Sequence, residues 1–528
     1  MKTILLVFLI FSLFSPLALF AGEKEEILKK IEDLTSEVEK LRKSEDTLIN
    51  EIEKLKKRVE GVEKKDTTHE EKITVQEEKI KEVEKKADKA AELSRFTLSG
   101  DYRFRLDSVR AKFPAQYTYY YHAMGFGSAE PFTAKNDSIM THRFRLNISA
   151  QATDNIGFMG RLAMFKVAGS QTSASLSSGT DPMFGIFAHN GMLFDGNTGH
   201  LATDNVLRVE RAFVNWTNVG GLPVAFSVGR RPSTGGPPTH LRQNIERDAV
   251  PLGLGIDYAV DGMALGYFHE KPVPGNFKLC YGRGFESGFK GVSSSKVDDV
   301  DIFGFNWELD DSSRNIFFQL QGLKAFDLMD VPEIQYYVNQ LRYAPTNVGD
   351  LYHLTALLMH KVKNIDWFIS SGLSNTDPEN QSAAGFGSLL TDPGTSTFDS
   401  KTGYALYAGL RIPIVKLRSK VGLEYNYGSK NWVNFTPASD DLITSKLATR
   451  GSVYEAYWIW DIPGNKLSRF AKPFIRIGYQ YYNFEYSGSG LWLGEPKKIS
   501  EINTTTVKPL FPAAKSMYNI YSSFDVYF

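Results

Sequence analysis

Arg103 and Arg105, and Arg143 and Arg145, fall two residues apart within short alternating segments, and Arg161 stands alone in a third. Arginine presents a fixed fork of donors and keeps its charge at any physiological pH, so a file of guanidinium groups on one face suits anions. Other chemistry-bearing residues are sparse. The nine histidines make no metal-ligand spacing, and His353 and His360 would point to opposite faces of one strand. Cys280 is the only cysteine, so no intrachain disulfide exists. Asp298, Asp299 and Asp301 form an acidic patch that suits a divalent ion or lipopolysaccharide, or simply an exposed loop. No nucleophile–base–acid arrangement or paired carboxylates stand out, which argues against an enzyme. Net formal charge is zero, so no bulk charge argues for nucleic acid.

Strands position the arginines. Phe96, Leu98, Gly100, Tyr102, Phe104 and Leu106 alternate with Thr97, Ser99, Asp101, Arg103, Arg105 and Asp107. Phe144, Leu146, Ile148 and Ala150 alternate with Arg143, Arg145, Asn147, Ser149 and Gln151. After a turn at 152–155, Phe158, Leu162 and Met164 oppose Arg161. Side chains of a strand alternate faces, so each strand has an oily side and a polar side carrying the arginines. The last eleven residues repeat the pattern: Tyr518, Ile520, Phe524, Val526 and Phe528 share one face, interrupted only by Ser522. An alternating strand that closes the chain on Phe528 looks like the final strand of a bacterial outer-membrane barrel. The aromatic content of 13% fits aromatic girdles. Mean hydropathy is −0.27, and no run of 18 apolar residues follows the N-terminus. That argues against membrane helices and says nothing against a barrel, where only alternate residues face lipid.

Connection lengths set the strand count. Short connections recur near 152–155, 218–221, 271–276, 310–313, 362–364, 413–416 and 463–467. Long ones lie between them, at 110–138, 169–204, 232–257, 285–298, 326–349, 375–401, 431–449 and 487–515. The alternation predicts an all-β transmembrane antiparallel barrel over 96–528 with about sixteen strands. Eighteen is the alternative, and 252–269, taken as a loop and one strand, is the stretch on which parity depends. An even number returns both barrel ends to one side.

Residues 1–21 read as a signal peptide: Lys2, an apolar run from Ile4 to Phe20, then Ala21. Residues 22–95 carry heptads. Ile31, Val38, Ile52 and Val59 take a positions, and Leu34, Leu41, Leu48 and Leu55 take d positions. Glu45 interrupts the seam, and Glu37/Arg42, Glu51/Lys56 and Arg58/Glu63 flank it. This predicts an α-helical coiled-coil stalk in the periplasm and therefore a homo-oligomer, trimer or dimer. Such a rod would be on the order of 100 Å long.

The chain resembles an uncharacterised family of bacterial outer-membrane proteins, defined by a domain of unknown function and regarded as porin-like. The resemblance rests on Gly229-Arg230-Arg231-Pro232-Ser233-Thr234-Gly235-Gly236-Pro237-Pro238 with Val260-Asp261-Gly262 after it. It rests also on Gly428-Ser429-Lys430-Asn431-Trp432, Leu447-Ala448-Thr449-Arg450-Gly451 and Tyr486-Ser487-Gly488-Ser489-Gly490. It covers nearly the whole mature chain and implies location and architecture, with no reaction and no known substrate.

In general porins the third outer loop folds into the lumen. Gly and Pro at this density cannot be sheet, so Arg230, Arg231, Pro232, Gly235, Gly236, Glu246 and Asp248 form either a constriction loop, by analogy, or an ordinary exposed loop. Arg103, Arg105, Arg143, Arg145 and Arg161 then line the pore as a basic wall, with their heads in water. An acidic loop facing that wall would set up a transverse field; the plainer alternative pairs the arginines with Asp101 and Asp107. The 22–95 segment holds 19 basic and 22 acidic residues and Lys2 leaves with the signal, so the barrel keeps 41 basic and 39 acidic. Selectivity must therefore come from placement.

The expectation is an outer-membrane porin, with outer-membrane lipid and lipopolysaccharide around it. It is a passive channel for small hydrophilic solutes, anions among them, with no cofactor and no metal. The rival is a structural tether reaching peptidoglycan or a periplasmic partner through the stalk, for which the barrel is only an anchor.

Overall fold

The computed structural model describes residues 38, 40, 42–55, 95–119, 128–169, 202, 205–231, 235–289, 297–330, 336–338, 341–343, 345–436, 440–465 and 468–528. The chain divides into two units, Met1–Phe96 and Thr97–Phe528. The signal segment and most heptad positions lie outside the described residues. Within the first unit, residues 42–55 are helical. Leu48 and Leu55, at d, and Ile52, at a, are its half-buried positions, while Val38 and Ile49 are exposed.

The second unit is a closed antiparallel barrel of sixteen strands. In chain order they are β1 (Phe96–Phe113), β2 (Phe132–Gln151), β3 (Ile156–Val167), β4 (Arg208–Trp216), β5 (Val224–Arg231), β6 (Val260–His269), β7 (Gly275–Phe285), β8 (Val300–Asp311) and β9 (Ile316–Met329). A two-stranded hairpin, β10 (Tyr336–Val338) and β11 (Leu341–Tyr343), stands outside the barrel sheet. The barrel resumes with β12 (Asn347–Val362), β13 (Ile365–Pro378), β14 (Lys401–Ile414), β15 (Ser419–Gly428), β16 (Gly451–Asp461), β17 (Lys472–Phe484) and β18 (Ser516–Tyr527). The terminal strand closes the sheet against the first, with Tyr102 opposite Val526 and Asp107 opposite Tyr521. Closure leaves no strand edge, as a wall in lipid requires.

The stretch 252–269 gives one strand, so the parity holds. The short connections sit at one end and the long loops at the other. Lys363 and Asn364 both take positive φ, the backbone of a two-residue hairpin whose twist matches the flanking strands. The first long loop is shorter than expected. Alternation continues through Val109, Ala111 and Phe113, all buried inward, so β1 runs to Phe113 and β2 starts at Phe132.

The two faces differ as a membrane-spanning barrel demands. Outward positions such as Leu98, Leu265, Leu279, Leu373, Leu423 and Phe524 are exposed. Inward positions are charged or polar along much of each strand and buried, which a wall around an empty pore would not achieve. A sixteen-strand barrel is too wide for its own side chains to fill. Long loops help to fill it, among them the third, described over 235–259, and the seventh, described over 429–436 and 440–450. They bring an apolar cluster with them, in which Leu241, Leu252 and Leu254 of the third loop pack with Trp432 and Leu447 of the seventh against Leu357, Phe368 and Tyr407.

Candidate functional site

The five arginines are where alternation puts them, on inward positions of β1, β2 and β3. They do not stand in water. All five are buried, Arg103 to 3% exposure and Arg143, the most accessible, to 6%. The reason is pairing. Arg145 Nε donates to Asp101 Oδ2 at 2.7 Å and Arg143 Nη2 to Asp101 Oδ1 at 3.1 Å. Arg105 grips Asp107, its Nη2 to Oδ1 at 2.7 Å, and Arg103 Nε donates to Asp525 Oδ1 at 2.5 Å. Arg161 bonds Asn147 at 2.5 Å and reaches Glu210 at 3.4 Å.

The loops supply the remaining counter-charge. Asp440 of the seventh loop pairs with Arg103, with Arg143 at 3.3 Å and with Arg476 of β17 at 2.9 Å. Its carbonyl accepts from Arg105 Nη1 at 2.9 Å. Asp248 of the third loop pairs with Arg161 at 2.5 Å and Arg211 at 2.8 Å. Glu246 is exposed and meets none of these groups. Pro232 lies outside the described residues. Arg230 and Arg231 belong to β5 and not to the loop, because the β5–β6 ladder runs on through Arg230 opposite Asp261 and Arg231 opposite Val260. Gly235 takes φ +86, and a Cβ on Gly236 would stand 1.8 Å from the Pro251 carbonyl oxygen. The loop folds back on itself there only because no side chain intervenes.

Several contributors were not singled out from sequence. Glu210 and Arg211 are adjacent yet both point inward. A register shift next to Arg161 pairs Arg161 with Arg211 and Leu162 with Val209, so Glu210 is an extra residue bulged to the inner face. Arg242 of the third loop bonds Asp441 of the seventh at 2.6 Å and Glu455 of β16 at 3.0 Å. Lys446 of the seventh loop sits between Glu424 of β15 and Glu455, at 2.5 Å from the latter. Tyr407 and Tyr521 donate to those carboxylates at 2.6 and 2.7 Å. Glu424, Glu455 and Arg476 had a visible signature, a lone charge inside an apolar strand.

The third loop thus crosses the barrel interior. It bonds β3 and β4 through Asp248, β8 through Arg247 to Glu308 at 3.1 Å, and β9 through Gln319 to the Val250 carbonyl at 2.7 Å. On the far wall it bonds β14 through Arg411 to the Leu241 carbonyl at 3.0 Å and β16 through Asn244 to Asp461 at 2.9 Å. Around the five arginines and the two loops, the described residues join nine cations (Arg103, Arg105, Arg143, Arg145, Arg161, Arg211, Arg242, Arg476 and Lys446) to nine carboxylates (Asp101, Asp107, Asp248, Asp440, Asp441, Asp525, Glu210, Glu424 and Glu455). This network is self-neutralised, so it holds the loops and gives no net basic field.

Three of the motifs, 428–432, 447–451 and 486–490, meet in one buried knot. Arg450 pairs with no carboxylate among the described residues; its Nε donates to the Trp432 carbonyl at 2.9 Å, Nη1 to those of Ser487 and Gly488 at 3.0 and 2.7 Å, and Nη2 to that of Leu491 at 2.7 Å. Trp432 Nε1 donates to the Leu447 carbonyl at 2.8 Å. Gly488 has φ +71, and a Cβ there would meet Arg450 Nη1 at 2.7 Å. At the long-loop end, Lys497 bonds Asp392 and Glu495, and Lys430 bonds Glu495 at 2.9 Å, joining the sixth, seventh and eighth loops. Burial alone would raise the Glu495 carboxyl; bonds from Lys497 and Lys430 hold it down at about 2.

The expected acidic patch is not a bare surface. Asp299 and Asp301 pair with Arg283 at 2.6 and 2.9 Å. Among the described residues no group of His, Cys, Asp and Glu is arranged to hold a metal.

Among solved structures, the chain is similar to OmpT of Vibrio cholerae in its trimer form, at 8% identity over 82% of this chain and 99% of that one, with a TM-score of 0.40. It is similar also to Salmonella typhi OmpF in complex with daunomycin (9% identity, 82% and 97% covered, TM-score 0.39). The anion-selective porin from Comamonas acidovorans matches at 11% identity, with 82% and 99% covered and a TM-score of 0.40. None of the curated proteins matches the chain in sequence. The family model that matches spans residues 133–528, the barrel from early β2 to the last residue, and the chain belongs to that family, described as a protein of unknown function (DUF3373).

Proposed function

We propose that this chain is an outer-membrane porin of a Gram-negative cell, a passive channel for small hydrophilic solutes with a preference for anions, acting without reaction or cofactor. The observation that carries the reading is the third loop, which leaves the wall after β5 and bonds strands on the opposite side of a sixteen-strand lumen. A loop so placed narrows a wide barrel to a size-selective passage while the outer face stays apolar for lipid and lipopolysaccharide. In this reading 1–21 is a signal peptide and 22–95 a periplasmic coiled coil that holds a homo-oligomer, trimer or dimer, together.

One observation favours the tether instead. The third and seventh loops fill the interior and are pinned by a buried, neutral charge network, as an anchor with no cargo would tolerate. Planar-bilayer recording of the purified full-length protein separates the two. Stepwise ionic current is expected; a protein that inserts and never conducts supports the tether and its peptidoglycan or periplasmic partner. Removal of 23–93 should weaken the oligomer in mild detergent while leaving a heat-modifiable barrel.

A further inference from the structure

One part of the inner wall escapes the neutral network. On β7, Phe277 and Leu279 face outward and are exposed, so Lys278 and Cys280 face inward. Across the ladder Lys278 lies opposite Gly266 and Cys280 opposite Ala264 on β6. The Lys278 stem lies over Gly266, where a Cβ would meet its Cγ at 3.3 Å. On β5, Val228 is outward and Ser227 is buried inward, which places Arg231 on the inner face as well. This patch is therefore built of small side chains and two cations.

Those cations differ from the nine in the network. Lys278 makes no ion pair or hydrogen bond with any described residue. Arg231 rests over the Phe213 ring at 5.4 Å, and its buried Nη1 has no hydrogen-bond partner among the described residues. The Ser227 hydroxyl, in a residue 7% exposed, also has none. The ionisable groups that face Lys278 are Glu308, Cys280, Arg247 and Arg231. Glu308 is already committed, accepting from Arg247 at 3.1 Å, Asn276 at 3.0 Å and Asn306 at 3.2 Å. Donors without an acceptor among the described residues are suited to an incoming oxyanion that supplies one.

We propose that the inner wall around Arg231, Lys278 and Ser227 is an anion-binding stretch of the lumen, taking small solutes that carry a carboxylate or phosphate. It rests on the channel reading for the route by which a solute arrives, and places the selectivity on β5–β7 and not on the five arginines of β1–β3. Arg231 and Lys278 donate to the anion's oxygens, and the Ser227 hydroxyl adds a neutral donor.

Cys280 provides the test, as the only cysteine of the chain and two residues from Lys278 on the same face, about 7 Å along the strand. Full-length protein in detergent micelles is treated with methanethiosulfonates bearing a sulfonate or a trimethylammonium group. Labelling is followed by intact mass, and each rate is normalised to a free thiol. One positive charge at that distance in water should favour the sulfonate by about sevenfold over the cation at low salt. The ratio should fall toward one at about 1 M salt, where the Debye length is about 3 Å. Lys278→Gln should remove most of it and Arg231→Gln part of it, and millimolar inorganic phosphate should slow labelling. A wild-type ratio of one or less, or labelling only after unfolding, overturns the proposal; the salt arm needs no variant, so a misfolded Lys278→Gln cannot rescue it. Bilayer recording runs beside it: no current sinks the channel while the ratio still judges the site, and current with a ratio of one sinks the site alone.

Discussion

Asp440→Asn tests whether the seventh loop is held by charge. The substitution keeps the shape of the side chain and removes its charge. Three guanidinium groups meet this carboxylate: Arg103, Arg143 and Arg476. Arg103 keeps Asp525, and Arg143 keeps Asp101. Among the described residues Arg476, fully buried, keeps only the Arg242 carbonyl at 3.0 Å and the face of Tyr521. The change therefore orphans about one buried charge. Breaking a buried pair costs about 3–5 kcal/mol, and the partial compensation points to about 3. That is a shift of about a hundredfold between docked and released loop, since 1.4 kcal/mol is a factor of ten. The assay is urea unfolding of the barrel followed by its gel mobility, with Arg476→Gln and the double variant alongside. The double variant should be less destabilised than the sum of the singles by at least about 1 kcal/mol, because one partner's removal relieves the other. A single variant within about 0.5 kcal/mol of wild type, or strict additivity, would refute the idea that charge pairing holds this loop.

Arg450→Lys should lower barrel stability by about 2 kcal/mol or more, since an ammonium on a flexible stem cannot serve the four carbonyls of Trp432, Ser487, Gly488 and Leu491 together; an unchanged urea midpoint would show that the knot is decorative. Leu265→Arg, mid-strand and 51% exposed on the outer face, should cost about 2 kcal/mol or more in a bilayer and little in urea-free detergent; equal folding yields into lipid vesicles would mean this face does not meet lipid. For Glu495, a folded carboxyl held down at about 2 contributes stability that is present above its unfolded value of about 4 and lost as pH falls through about 2. Wild type should therefore resist proteolysis of its long loops better than Glu495→Gln at neutral pH, and the advantage should shrink between about pH 4 and about pH 2; an advantage undiminished at the acid end would show that another group ties these loops.

Alternation made the walls legible. Arg103, Arg105, Arg143, Arg145 and Arg161 point inward because a strand leaves no other choice once Phe104, Leu106, Phe144 and Leu146 must face out. The same rule, applied to Glu424 between Leu423 and Tyr425 or to Arg476 between Ile475 and Ile477, would have marked both as interior. Loop lengths gave the strand number, since short and long connections must alternate in an antiparallel barrel. The partners were another matter. Arg103 finds Asp440 across 337 residues and Arg242 finds Glu455 across 213, pairings that no local pattern encodes. The bulge at Glu210 is equally silent, because one extra residue in a strand leaves no mark on composition.

Burial of the five arginines changes what a basic wall means. A guanidinium in a water-filled pore adds to the field a solute meets. One that shares a buried carboxylate with two neighbours adds almost nothing at a distance, whatever its count. Charge placement in this barrel therefore has two levels. The β1–β3 wall, Asp440 and Asp248 spend their charge on one another and fix the loops. Arg231 and Lys278, on a wall of Ser, Ala and Gly and in no ion pair among the described residues, are the charges proposed above to serve an entering anion. It follows that neutralising Arg143 or Arg145 should be felt first as loss of stability, and neutralising Lys278 first as a change in selectivity. The two readouts can be taken on the same purified samples, and an inverted order would mean that the fixed and the free charges have been assigned to the wrong walls.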